Sequence, residues 1–243
     1  MKDISTTISS YEQALEHHTA LSDYYALVRL LLQIPASDVV ESVKEGLLAD
    51  DYRVIAREAG LDSASIAEVL DQLTQVQQEL TKAEHSVSFV RREYTRLFTH
   101  PQKPQIPLYE GVFLDLELER AGKASTQARL FVNPAAVDAE KLYRAGGLVC
   151  NSKDERIPAD CITTELAFLE HLHKHVAAAA LTDDQSAMTQ TFSLIIDFHE
   201  HHVSKWIPRF FERCEEESGI EYYRAVGRMG RALTSVPFSR LSY

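Results

Sequence analysis

Apolar residues recur at three- and four-residue steps through most of this chain, and Leu21, Tyr24, Tyr25, Val28, Leu31 and Leu32 form the clearest stripe. That period puts them on one face of an α-helix, whereas a half-buried strand would alternate every second residue. Asn-Gly and Asp-Gly hairpin turns are absent and only nine glycines occur in 243 residues. The pattern predicts an all-α fold, a bundle of about 9–11 helices.

Punctuation residues divide the stripes. Pro35 stops the first helix, Ser37 or Asp38 is expected to cap a second that runs to Gly46, and Gly60 closes a third. Further helices are expected over about 63–80 and across Val87, Val90, Tyr94 and Leu97, ending at His100 and Pro101. Pro101, Pro104 and Pro107 then remove three backbone donors within seven residues, so 100–110 is expected to be an ordered hinge loop. This divides the chain into a helical region 1–100 and another, 101–243, packed as one unit.

Past the hinge, Asn133 followed by Pro134 marks the start of a helix ending near Gly146 and Gly147, and a loop leads to Asp160. Helices are then expected from Ile162 to Ala180, from Thr182 or Asp183 to Trp206, briefly after Pro208, and from Glu221 to Leu233.

The chain carries 36 acidic and 25 basic side chains, a formal charge of −11, which opposes general nucleic-acid binding and favours a cationic partner. No apolar run approaches the length that spans a bilayer, and the N-terminus has no basic segment leading an apolar one, so a cytoplasmic location is expected. Three cysteines, Cys150, Cys161 and Cys214, form neither a CxxC pair nor an even set, which fits a reducing compartment.

Histidine-rich stretches are the first candidate chemistry. In His199-Glu200-His201-His202 a zinc-protease signature fails because position 203 is Val203, and a carboxylate di-iron bundle finds only Glu170 with His173. No GxSxG elbow or GxxxxGK[ST] phosphate loop occurs. No cofactor, metal or catalytic residue is therefore expected. Taken in isolation, His202 and Trp206, four residues apart, read as packing partners on one helix face, and Cys161 as a small buried residue. The loop Tyr109-Glu110-Gly111-Val112-Phe113 reads either as a linker with core anchors or as a recognition loop, with Glu110 available to an arginine fork.

Four segments, EYTRLFTHP, PLYEGVFLD, PADCITTELAFLEHL and FHEHHVSKWIPRFF, occur in the order and spacing of the TorD family, which includes the DmsD and NarJ chaperones. Tyr94, Leu97 and Phe98 resemble its Tyr-x-x-Leu-Phe helix end. Pro107, Glu110, Val112 and Phe113 resemble its Pro-x-x-Glu-Ser-Val-Tyr loop, and His202, Trp206, Pro208 and Phe210 its His-Leu-x-x-Trp pattern. The resemblance covers about residues 90–215. Gly111 departs from the usual serine, and Cys161 from the usual histidine after Asp160.

Membership implies a chaperone, not an enzyme, that binds the twin-arginine leader or a core segment of a molybdopterin oxidoreductase precursor until its cofactor is inserted. Within that picture Tyr109, Glu110, Phe113, Asp160, His202, Trp206 and Phe210 are expected to form the peptide groove. The proline hinge also offers a route to a homodimer by domain exchange. Two alternatives stand beside this: a metal-dependent helical-bundle enzyme, and a regulatory scaffold for a folded partner.

Overall fold

A computed structural model describes residues 4–123, 133–148 and 157–236; Cys150 and most of the loop before Asp160 lie outside them. The first region holds α1 (Ile4–Leu31), α2 (Ser37–Glu45), α3 (Leu47–Glu58), α4 (Ser63–Lys82) and α5 (Ser86–Tyr94). Beyond the proline loop come α6 (Glu110–Arg120), α7 (Pro134–Ala145), α8 (Ile162–Leu181), α9 (Gln185–Phe198), α10 (Ser204–Glu217) and α11 (Glu221–Thr234). The described residues contain no strand, and Tyr109 and Cys161 form an isolated antiparallel bridge. The fold is all-α.

Local chemistry accounts for the helix ends. Asp62 accepts from the Ala64 and Ser65 N–H groups at the start of α4, and Asn133 accepts from Ala135 N–H just before Pro134. Gly46, with φ of 85°, closes α2 in the left-handed conformation that costs glycine least. The expected side-chain cap at Ser37 or Asp38 is corrected. Ala36 occupies the cap position without a side-chain bond, and Ser37 is already the first helical residue.

Two further expectations change. The segment from Glu110 onward is a helix rather than a continuation of the loop, because a proline-free run starts there and its first N–H groups find acceptors elsewhere in the fold. The helix expected to reach Trp206 ends at Phe198; a π turn spans His199–Val203, and α10 then runs through Pro208 to Glu217. Pro208 is tolerated in the second turn of α10, immediately after a turn where the regular i→i−4 ladder is already interrupted. A second π turn, Thr95–Thr99, ends the α5 segment.

The stripe on α1 is buried, and α1 lies along α8. Tyr24 donates to the Met229 carbonyl at 2.9 Å, which ties α1 to α11. Helix α11 packs on α10 through Gly227 and Gly230; a Cβ at Gly230 would come within 2.2 Å of the Phe211 ring. This framework places α6, α8 and α10 around one another, with the proline loop leading into α6.

Candidate functional site

The N-terminus of α6 is built across the chain. Its first N–H, from Glu110, donates to the Asp160 carbonyl at 2.9 Å, and the Gly111 N–H donates to Asp160 Oδ2 at 3.1 Å. Asp160 sits just before α8, where it reads as that helix's cap, yet its side chain caps α6. The Ile162 N–H donates back to the Leu108 carbonyl at 2.8 Å, so the loop end and the α8 entry are held as a pair.

Gly111 explains the third partner. A Cβ there would meet Asn133 Oδ1 at 2.9 Å, and the vacant space admits the Asn133 side chain, whose Nδ2 donates to Asp160 Oδ2. Asn133 bridges α7, α6 and α8. The other departure, Cys161, is buried, lies 3.4 Å from Thr163 Oγ1, and has its thiol pKa pushed up by burial.

Behind this junction lies a buried polar pair of pairs. Glu110 Oε2 is 2.7 Å from His202 Nδ1, with the Phe198 ring stacked on the imidazole at 4.9 Å. The Trp206 indole N–H donates to Glu165 Oε2 at 3.0 Å. Burial, with Glu110 and Asp160 nearby, holds Glu165 well above the ordinary carboxylate range. The π turn aims His202 at α6, and Trp206 follows one turn later.

Six of the seven residues singled out from sequence come together: Glu110, Phe113, Asp160, His202, Trp206 and Phe210 share this interior, all at most 2% exposed. Phe113 packs on Trp206 at 5.6 Å and on Phe210 at 5.9 Å between ring centroids. Tyr109 is half-buried at the edge, in its bridge with Cys161. The aromatic trio faces the interior, so contact with a peptide would have to pass through α6.

Helix α6 is two-faced. Glu110, Phe113 and Glu117 turn to α10, where Arg209 and Arg213 reach Glu117 at 3.2 and 3.0 Å. Gly111, Val112, Asp115, Leu116 and Glu119 line a cavity of about 420 Å³ on the opposite face, closed by Pro104 and Pro107 of the hinge.

Sequence reasoning missed Glu165, Asn133 as a site residue, and the outer face of α6. Glu165 had a signal: it falls on the apolar stripe Ile162, Leu166 and Leu169, where a carboxylate needs a partner. The metal candidates are otherwise engaged. Glu170 binds Arg29 at 2.8 Å and Lys174 at 2.6 Å, while His173 lies 2.8 Å from His18 between their Nδ1 atoms. Among the described residues, Glu110, Glu165 and His202 are the metal-ligand types that gather, with one atom of each within 4.8 Å of the others.

Comparison with known proteins shows what this chain is similar to. Chaperone protein TorD of Vibrio atlanticus (strain LGP32) is 27% identical over 103 residues, 42% of this chain and 46% of that protein, so the chain spans about half the length of that relative. The family model described as nitrate reductase delta subunit matches residues 60–212, which include the hinge, α6, Asp160, Glu165 and the His202–Phe210 run. That match covers well over half of the sequence and spans every residue of the junction, and the chain belongs to this family, the TorD/NarJ family.

Proposed function

We propose that this chain is a cytoplasmic chaperone without catalysis of its own. It binds the twin-arginine leader or a core segment of a molybdopterin oxidoreductase precursor and assists folding, cofactor insertion and export proofreading. The observation that carries this reading is the cavity on the outer face of α6, apolar and acidic at once, set on a junction of buried polar bonds within the family match. A helical surface of this kind suits a cationic peptide with an apolar stretch. The relative from Vibrio atlanticus is itself named a chaperone.

Tyr109, Glu110, Phe113, Asp160, His202, Trp206 and Phe210 serve this function by fixing α6 and forming the wall behind the cavity. Glu110, Asp160 and His202 are buried, which supports a positioning role for them. Residues 1–100 and 101–243 act as one packed unit, supported by α1 along α8, with the proline loop as the hinge about which copies exchange into a homodimer. No helix among the described residues is long and apolar enough to cross a membrane.

Calorimetry of the full chain with a synthetic twin-arginine leader tests the proposal. Saturable binding that weakens with salt but does not vanish is expected, since screening acts on the charge term alone. Lack of any saturable binding to leader or precursor would overturn it. The metal-enzyme reading has one observation in its favour, the Glu110, Glu165 and His202 trio. One tightly held ion per purified chain would put that reading first.

A further inference from the structure

We propose that His171 and His175, on the solvent side of α8, form a two-histidine site for a divalent late transition-metal ion, copper(II) or nickel(II) before zinc(II). The site lies outside the junction around α6 and does not depend on the chaperone reading.

The two residues are four apart on one helix, so a single turn brings their side chains to the same face. Their ring centroids are 4.2 Å apart, with the planes inclined at 47°. An ion that holds an imidazole nitrogen at about 2.0–2.1 Å needs its two nitrogens within about 4 Å of each other. Rings this close meet that condition by rotating about their own side-chain bonds. His171 is partly exposed and His175 exposed, so an ion can arrive from solvent and keep water in its other positions.

The second nitrogen of His171 is what prepares it as a ligand. Its Nε2 lies 3.1 Å from the carbonyl of Gly146, just past the end of α7. A carbonyl only accepts, so Nε2 carries the hydrogen and donates it, and in the neutral ring the lone pair is left on Nδ1. Metal-binding histidines are held in this way, the outer N–H given to an acceptor that fixes tautomer and ring orientation. Glycine permits the approach: a Cβ at Gly146 would come within 2.6 Å of the ring of Phe168, one turn before His171.

His175 has no hydrogen-bonding partner among the described residues, and burial with His171 beside it lowers its pKa, which favours the neutral, ligating ring at pH 7. The neighbouring Lys174 ammonium is offset by Glu170, which also holds Arg29. Two nitrogen donors open to water suit the tetragonal sets of copper(II) and nickel(II), whereas zinc(II) favours a closed tetrahedron and magnesium or calcium an oxygen cage.

The test titrates copper(II), nickel(II) or zinc(II) chloride into the untagged full chain after chelator treatment, beside His171→Gln and His175→Gln. Neither position is buried, so both variants are expected to fold; thermal melts check this. One ion per chain is expected, copper the tightest. Each substitution should weaken it more than about ten-fold, since loss of even an outer partner of a ligand costs about 10–100-fold. Nitrogen-15 spectra of the metal-free chain should show His171 as the Nε2–H tautomer, and nickel should perturb the ring resonances of His171 and His175 before those of the other histidines.

The site is wrong if the parent binds no ion saturably, if both variants bind like the parent, if the perturbation centres on another histidine, or if His171 is the Nδ1–H tautomer. An ion on the buried Glu110, Glu165 and His202 trio would be insensitive to both substitutions and would resist the chelator, whereas the solvent-open pair gives its ion up. Binding confined to the pair therefore leaves the chaperone reading as it stands.

Discussion

Acidification from pH 7 to pH 5 should destabilise this protein through histidines trapped in neutral form where α1, α8 and α9 meet. His18 and His173 are buried with their Nδ1 atoms 2.8 Å apart, and the Tyr25 ring stacks on His173. Burial, reinforced by His17, lowers the His18 pKa to about 3. Burial lowers His199 to about 3, and burial with His18 and His199 nearby holds His173 well below its ordinary range. With folded pKa values depressed, the unfolded chain takes up these protons first; the stability is intact above about 6.5 and is lost as pH falls toward 3. His18 and His199 then cost about 2 kcal/mol each between pH 7 and pH 5, or about 4 kcal/mol together, and His173 acts in the same direction.

Glu165 works in the opposite direction. Its folded pKa is raised, so its contribution is full below the unfolded value near 4.5 and is lost as pH rises; acidification therefore offsets part of the histidine loss. The loss from His18 and His199, about 4 kcal/mol, would lower the melting midpoint of a chain of this size by roughly 8–16 °C before the opposing share of Glu165. Helical circular dichroism melts at pH 7, 6 and 5 measure it. His173→Gln should remove one proton from the slope, about 1.4 kcal/mol per pH unit, whatever it does to the absolute midpoint. A midpoint constant within about 2 °C across that range would refute neutral burial of these rings.

Three substitutions probe the packing around α6 and α11. His202→Ala should cost about 3–5 kcal/mol in urea midpoints, because it strands the buried Glu110 carboxylate that now sits 2.7 Å from the imidazole. Glu165→Gln should be nearly neutral at pH 7, since an amide oxygen still accepts from Trp206, whereas Glu165→Ala should cost about 1–3 kcal/mol by leaving that indole N–H unpaired. Gly230→Ala should cost about 1–3 kcal/mol, as the new methyl collides with the Phe211 ring and α11 must lift from α10; a thermal shift under about 1 °C would contradict that close approach.

The all-α fold was legible because nearly every helix advertises itself by period and punctuation: the α1 stripe, Asp62 before α4, Asn133-Pro134 before α7. The helix α6 was not. Its short sequence mixes acidic and apolar residues on both faces, and what starts it is Asp160, fifty positions away, a long-range cap that no local pattern reports. The sequence resemblance gathered Glu110, Asp160, His202 and Trp206 correctly into one neighbourhood, but neither motif nor period tells an interior wall from a solvent-facing groove. Burial depends on which helix covers which, and no local pattern in α6 reports that Asp115 is buried while Val112 and Glu119 are exposed.

The π turn at His199–Val203 acts as a phase shifter in one nearly continuous rod. An α-helix advances about 100° per residue, so the extra residue of a π turn offsets every side chain beyond it by about that much relative to regular winding. Upstream, α9 serves α7 and α8; downstream, α10 serves α6 and α11. A single stretch of chain thus changes clients midway without a loop, and the facing of its second half depends on how that one turn is wound. Winding His199–Val203 as regular α-helix at unchanged length would turn Trp206 and Phe210 about 100° away from Phe113 while Phe198 kept its place, whereas deleting one residue of the turn would cancel that offset and keep them on their face.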